Sequence, residues 1–175
     1  MERVFDARQR YFADNGFSEA SYNDPWVKLK LGPIPIWFPN TISRRRAVPL
    51  HDLHHIATGY ATTWTGEAEI SAWELAAGCE RYTAARVLDF GAFTWGLAIA
   101  PRRVYRAFMH GRRSTSLYHS GWRNDLLDLT VPDLRSRLHV DDKRPTTWRD
   151  RLAFAGWVAA AAVPVVAAAV LVLAR

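Results

Sequence analysis

The chain has 175 residues, 49% of them apolar, which bounds it to one domain able to bury a core of its own. Its single cysteine, Cys79, excludes an internal disulfide and a cysteine-based zinc cluster. The formal net charge of +6 suits anionic surfaces or ligands, but no nucleic-acid motif accompanies it, and the charged start MERVFDARQR lacks the apolar stretch of a signal peptide.

In chain order, residues 1–24 predict a short amphipathic helix and loop anchored by Phe5, Tyr11, Phe12 and Phe17. WVKLKL (26–31) and IPIWF (34–38), broken at Gly32-Pro33, predict either a short hairpin confined to edge pairing by Pro33 and Pro35 or an extended apolar flap. Arg44, Arg45 and Arg46 read as a solvated basic loop before a helix over His51–Tyr60. Further helices are expected over Glu67–Gly78 and Tyr82–Ala100, the latter carrying the charge-free run FGAFTWGLAIA, too short to span a bilayer and suited to a core or the wall of an apolar pocket. Pro101 suits the first turn of the next helix. There Arg102, Arg103, Arg106, His110 and Arg113 fall within roughly 100° of one another, opposite Val104, Ala107 and Phe108. This basic face suits an anionic lipid surface, a phosphate or carboxylate ligand held by Arg102, Arg106 and Arg113, or simply solvent. Residues 114–124 read as loop, followed by a helical turn and a short helix after Thr130-Val131-Pro132. Residues 141–151 form a charged linker. Leu152–Ala174 is free of charge and long enough to cross a hydrocarbon core. Lys143, Arg144, Arg149 and Arg151 precede it and only Arg175 follows, so the expected topology is a single-pass C-terminal transmembrane helix with the main domain on the cytoplasmic side.

The densest chemistry lies in HDLHHIATGYATTWTGE, 51–67. On a helix, His51 and His55 share a face, while Leu53, Ile56, Ala57 and Tyr60 lie opposite. Two imidazoles at i and i+4 can bind one divalent ion and leave its coordination incomplete. Asp52 and Glu67 would supply oxygens to complete it; the bland reading is a packed or solvated histidine pair. Gly59 and Gly66 let the chain turn, and Ala57, Ala61, Ala68 and Ala72 allow two helix backbones to approach. Glu67, Ser71 and Glu74 share the next helix's face, which makes Glu74 an outer carboxylate, a general base or a salt-bridge partner.

The series His51-Asp52-x-x-His55, eleven residues, then Glu67, with HDLHHIATGY and GEAE around it, resembles the core of the Coq4 family of ubiquinone-biosynthesis proteins. The similarity covers roughly residues 47–80, with a weaker echo at 125–140. The resemblance implies a predominantly helical fold, zinc or another divalent ion on His51, Asp52, His55 and Glu67, and removal of the C1 carboxylate of a prenylated hydroxybenzoate with hydroxylation there. It equally implies an older alternative, a non-enzymatic scaffold for other quinone-biosynthesis enzymes. The apolar tail departs from the family pattern.

The expected molecule is therefore an all-α protein, with either a short hairpin or an extended flap near its N-terminus. It comprises a helical metal-binding domain over 1–140, a linker over 141–151 and a membrane helix over 152–174. Glu67 and Glu74 are its candidate catalytic residues. Its expected partners are membrane lipids, a prenylated aromatic or isoprenoid molecule and other quinone-biosynthesis enzymes, with no nucleic acid. HDLHH also fits one histidine box of membrane di-iron hydroxylases, and the His-Asp doublet one element of HD-type phosphohydrolases. Both need further ligand sets that His110, His119 and His139 do not form.

Overall fold

This computed structural model describes residues 1–31, 34–79 and 81–173, and among them it forms seven α-helices and one two-stranded sheet. α1 (Val4–Asn15) is followed by the antiparallel strands β1 (Trp26–Leu31) and β2 (Ile34–Pro39), in register from Trp26 opposite Pro39 to Leu31 opposite Ile34. The Gly32-Pro33 break between the strands lies outside the described residues. α2 spans Ile42–Thr58. The Thr41 side chain caps it by accepting from the Arg44 N–H at 3.3 Å, so Arg44, Arg45 and Arg46 occupy its first turns rather than a loop. Arginine is a good helix former, and the cap starts the helix well before the histidines. α2 stops at Gly59, which takes a left-handed φ of 76°.

α3 (Trp64–Ala77) begins with Thr63 accepting from the Gly66 N–H at 3.2 Å. α4 spans Thr83–Ile99, and α5 spans Pro101–Gly111 with proline at its first position. α6 covers Val131–Arg137 and α7 Trp148–Leu173. α3 is buried on nearly every side, Ile70, Ala72 and Trp73 fully so, and takes Glu69, Ser71 and Glu74 inside with it. It lies against α4 and α5. A Cβ on Gly96 would fall 2.5 Å from the Ala68 Cβ, so Ala68 serves the close approach of α4 rather than that of α2. The N-terminus is tied back across the chain, with Val4 N–H donating to Leu129 O at 2.8 Å and Val131 N–H to Glu2 O at 2.9 Å. That places α1 beside α2.

The expectation of an all-α chain ending in a membrane span is corrected. The fold is mostly helical and β1 and β2 pair as the hairpin rather than lying as the extended flap, but no helix among the described residues is long and apolar enough to cross a membrane. The expected run Leu152–Ala174 begins inside α7, and its end at Ala174 lies outside the described residues. Its first half is part of the domain. Phe154 packs its ring on Phe93, Tyr105 and Phe108, at centroid distances of 6.0, 5.1 and 5.3 Å. Ala153, Trp157, Val158 and Ala161 follow the same face against the core. Arg112 Nε donates to Asp150 Oδ1 at 3.0 Å and pins the start of the helix to the end of α5. Spacing of 3.6 residues, not bilayer thickness, organises this segment. The single-pass topology, and the placement of the domain on the cytoplasmic side that rested on it, fall with it.

Candidate metal centre

α2 and α3 carry the converging groups. The Gly59 stop and the Thr63 cap return the chain within a few residues. At Gly66 a side chain is excluded, since a Cβ there would lie 1.9 Å from Ala61 O. That close turn delivers Glu67, in the first turn of α3, to the histidines of α2. His51 Nε2 and His55 Nε2 are 3.1 Å apart. Glu67 Oε2 lies 3.5 Å from His51 Nε2, and Oε1 lies 3.5 Å from His55 Nε2. Atoms bound to one ion at ~2 Å stand roughly 3.3 Å from one another in a tetrahedral set, so these separations lie close to those of a shared ion. These groups of histidine and carboxylate could hold a metal ion.

Hydrogen bonding decides which ring nitrogens are free. The Nδ1 of His55 lies 2.8 Å from Tyr60 O, which can only accept, so Nδ1 carries the proton and Nε2 a lone pair. His51 Nδ1 lies 3.0 Å from Glu74 Oε1 and donates to it, which leaves the His51 Nε2 bare in the neutral ring. Two lone pairs and a carboxylate thus face one another, an arrangement that calls for a cation between them. Without an ion, a proton serves. Burial opposes charge on His51, but the Glu74 and Glu67 carboxylates overcome it and hold its pKa well above the ordinary value. Burial and then the His51 charge push His55 down to about 4. Burial opposes ionisation of Glu67, yet the His51 contact keeps its pKa below the usual carboxylate value. The His51 and Glu67 side chains are 22% and 34% exposed, so the cluster opens to solvent on one side.

Glu74, two turns beyond Glu67, stands behind the histidines and is fully buried. Besides His51 it receives His54 Nδ1 at 2.5 Å and the Tyr118 hydroxyl at 3.2 Å. Burial raises its pKa, but His51 and His54 more than offset this and keep it ionised. His54 is not a ligand candidate, since its Nε2 accepts from the Leu117 N–H at 2.9 Å. Asp89 completes the buried group; His51, Glu74 and Asp89 also offer atoms within 4.8 Å of one another. Burial, then the Glu74 charge, pushes the Asp89 carboxyl well above the usual range, so it is a neutral acid.

Asp52 turns away from the cluster. Its Oδ2 accepts a short hydrogen bond from the Tyr22 hydroxyl, and its Oδ1 lies 3.5 Å from that of Tyr11. Adjacent helical residues diverge by 100°, which prevents Asp52 from sharing the direction of His51. Tyr11 also stacks on His55, ring centroids 5.7 Å apart. The arginines expected to bind an anion lie elsewhere. Arg102 and Arg106 line a cavity of about 540 Å³ with Leu97, Tyr105, Phe154 and Val158, and Arg113 donates to Arg144 O at 3.1 Å. Tyr22, Tyr118 and Asp89 escaped the sequence reading, and Tyr11 entered it only as an apolar anchor of the first helix. Only Asp89 left a signal, as a lone acid in an otherwise apolar stretch of α4. No protein-family model, curated protein or solved structure matches the chain.

Proposed function

We propose that the protein is a metal-dependent enzyme of quinone or isoprenoid-lipid metabolism, acting on a prenylated aromatic acid of the hydroxybenzoate type by oxidative decarboxylation at C1. The observation that carries the metal half is the convergence of His51 Nε2, His55 Nε2 and Glu67 on one point with their lone pairs inward. Two imidazoles and a carboxylate are a borderline donor set that suits zinc, and three protein ligands leave a position open for a substrate. The substrate class rests on the likeness of the 51–67 motif to the Coq4 family.

When bound, a divalent ion would supply Lewis-acid stabilisation of charge on a carboxylate or phenolate. The chain's own residues do the rest. Glu74 holds the His51 ring by its Nδ1–H and keeps Nε2 directed outward. Tyr60 O does the same for His55, and Tyr11 packs against the face of that ring. Glu67, on the open side, is the ligand nearest an entering molecule. The test incubates wild type and Glu67→Gln with a prenylated hydroxybenzoate and oxygen, follows CO₂ release, and measures bound metal in both. One ion per chain and release by the wild type alone are expected. Metal binding with no release by the wild type, across several prenyl lengths, would turn the reading to a non-enzymatic scaffold.

A further inference from the structure

Tyr22, whose hydroxyl meets Asp52, also lines a cavity of about 430 Å³ to which none of the metal-cluster residues contributes. Five separate segments build it. Arg8 comes from α1, Glu19 and Tyr22 from the 3-10 turn at 19–23, Arg45 and Arg46 from the first turns of α2, and Tyr82 and Trp122 from the two loops beyond. Its polar wall holds three guanidiniums against a single carboxylate.

Arg8 is the informative residue. Its side chain is 2% exposed, yet its one carboxylate contact is to Glu19 at 3.4 Å, and the Glu19 side chain is 67% exposed. Its Nε is buried with no hydrogen-bond partner. A buried guanidinium has five donors to satisfy, and burying such a charge is costly unless an anion and hydrogen bonds compensate it closely. A carboxylate that is itself mostly in solvent compensates weakly. Arg45 Nε donates to Asn40 O at 3.1 Å, which fixes its stem beside the cavity, and Arg46 is exposed at the rim. The remaining wall is Tyr22, Pro49, Tyr82 and Trp122, mostly aromatic. The Arg8 guanidinium already lies 5.9 Å from the Trp122 ring centroid. Guanidinium forks match carboxylate and phosphate oxygens, and aromatic walls match a flat ring.

We infer that this cavity binds a small aromatic anion, its carboxylate or phosphate taken by Arg8, Arg45 and Arg46 and its ring laid against Tyr82 and Trp122. The site stands apart from the proposed metal centre and does not depend on it. Calorimetry on the full chain at low salt, with and without added zinc, tests it with benzoate, phenyl phosphate, inorganic phosphate and neutral benzyl alcohol. One molecule of benzoate or phenyl phosphate should bind per zinc-free chain, that event should persist beside any second one when zinc is added, and benzyl alcohol should not bind. Arg46→Gln, at an exposed position, should weaken that binding at least about tenfold without changing the fold. Glu19→Gln should strengthen it, because it removes the competing carboxylate. Stability lowered by this change with anion binding untouched would show that the anion does not reach Arg8 and would overturn the inference. Binding that needs zinc, binding indifferent to Arg46→Gln, or inorganic phosphate bound as tightly as phenyl phosphate would each overturn the inference, as would no binding at all.

Discussion

At His51 a proton and an ion compete for one nitrogen. The Glu74 and Glu67 carboxylates hold the metal-free imidazole protonated against the penalty of burial. An ion can bind only the neutral ring, so uptake at neutral pH should release about one proton per ion. Calorimetry in buffers of different ionisation enthalpy reads this number directly, and no release would show that His51 is not displaced. In the metal-free protein the sign of the pH dependence follows from the two shifts. The raised His51 contributes stability that is full below its unfolded value and is lost as pH rises through its folded one. The lowered Glu74 contributes stability present above its unfolded value and lost as pH falls through its folded one. Glu74 is also the orienting partner of the ligand ring. Glu74→Gln removes the charge that both His51 and His54 donate to, and zinc affinity should fall about 10–100-fold. A competition titration with a chromophoric chelator checks it, and unchanged affinity would remove Glu74 from the site.

At the scale of elements, the return from α2 to α3 sets the distance between histidines and Glu67. Gly66 is the tightest point of that return. A methyl group there overlaps Ala61 O, so Gly66→Ala should cost about 1–3 kcal/mol and displace the first turn of α3. Thermal unfolding reports the stability loss, and the zinc titration reports the displaced Glu67. A variant that lost stability yet bound zinc as before would show that the turn matters to the fold but not to the site. The helices on either side begin at Thr41 and Thr63 and end before Gly59 and Gly78. The glycine ends are local φ requirements, so the existence of both helices and their stops near Gly59 and Gly78 were legible from the residues, while the Thr41 and Thr63 starts were not read from them. The early start of α2 was not legible, because a run of arginines is equally at home in solvent and on a helix.

For the whole molecule, the informative segment is α7. A charge-free stretch of alanine, valine and leucine has the same composition whether it faces lipid or packs against protein. Here its first half rests on α4 and α5 through Phe154, Trp157 and Ala161. The half-buried Phe154 meets three aromatic rings, and Phe154→Ala should cost ~2 kcal/mol, below the range for a fully buried phenylalanine. Ending the chain after Thr147 should lower Tm further, since it also removes the Asp150 partner of Arg112 and the remaining docked residues. An unchanged Tm would mean that α7 is an appendage rather than a part of the domain.

Sequence by itself determined what depends on spacing along one helix. The i, i+4 pair of His51 and His55, the common face of Glu67 and Glu74, and the split between basic and apolar sides of α5 all follow from 3.6 residues per turn. Tertiary structure alone decided which of two neighbouring groups, His51 or Asp52, faces Glu67 and which faces Tyr11 and Tyr22. It also decided that Glu74 meets Tyr118, 44 residues away, and that Arg8 is buried beside residues of α2. Those pairings depend on the packing of elements distant in the chain. No periodicity in the sequence records it.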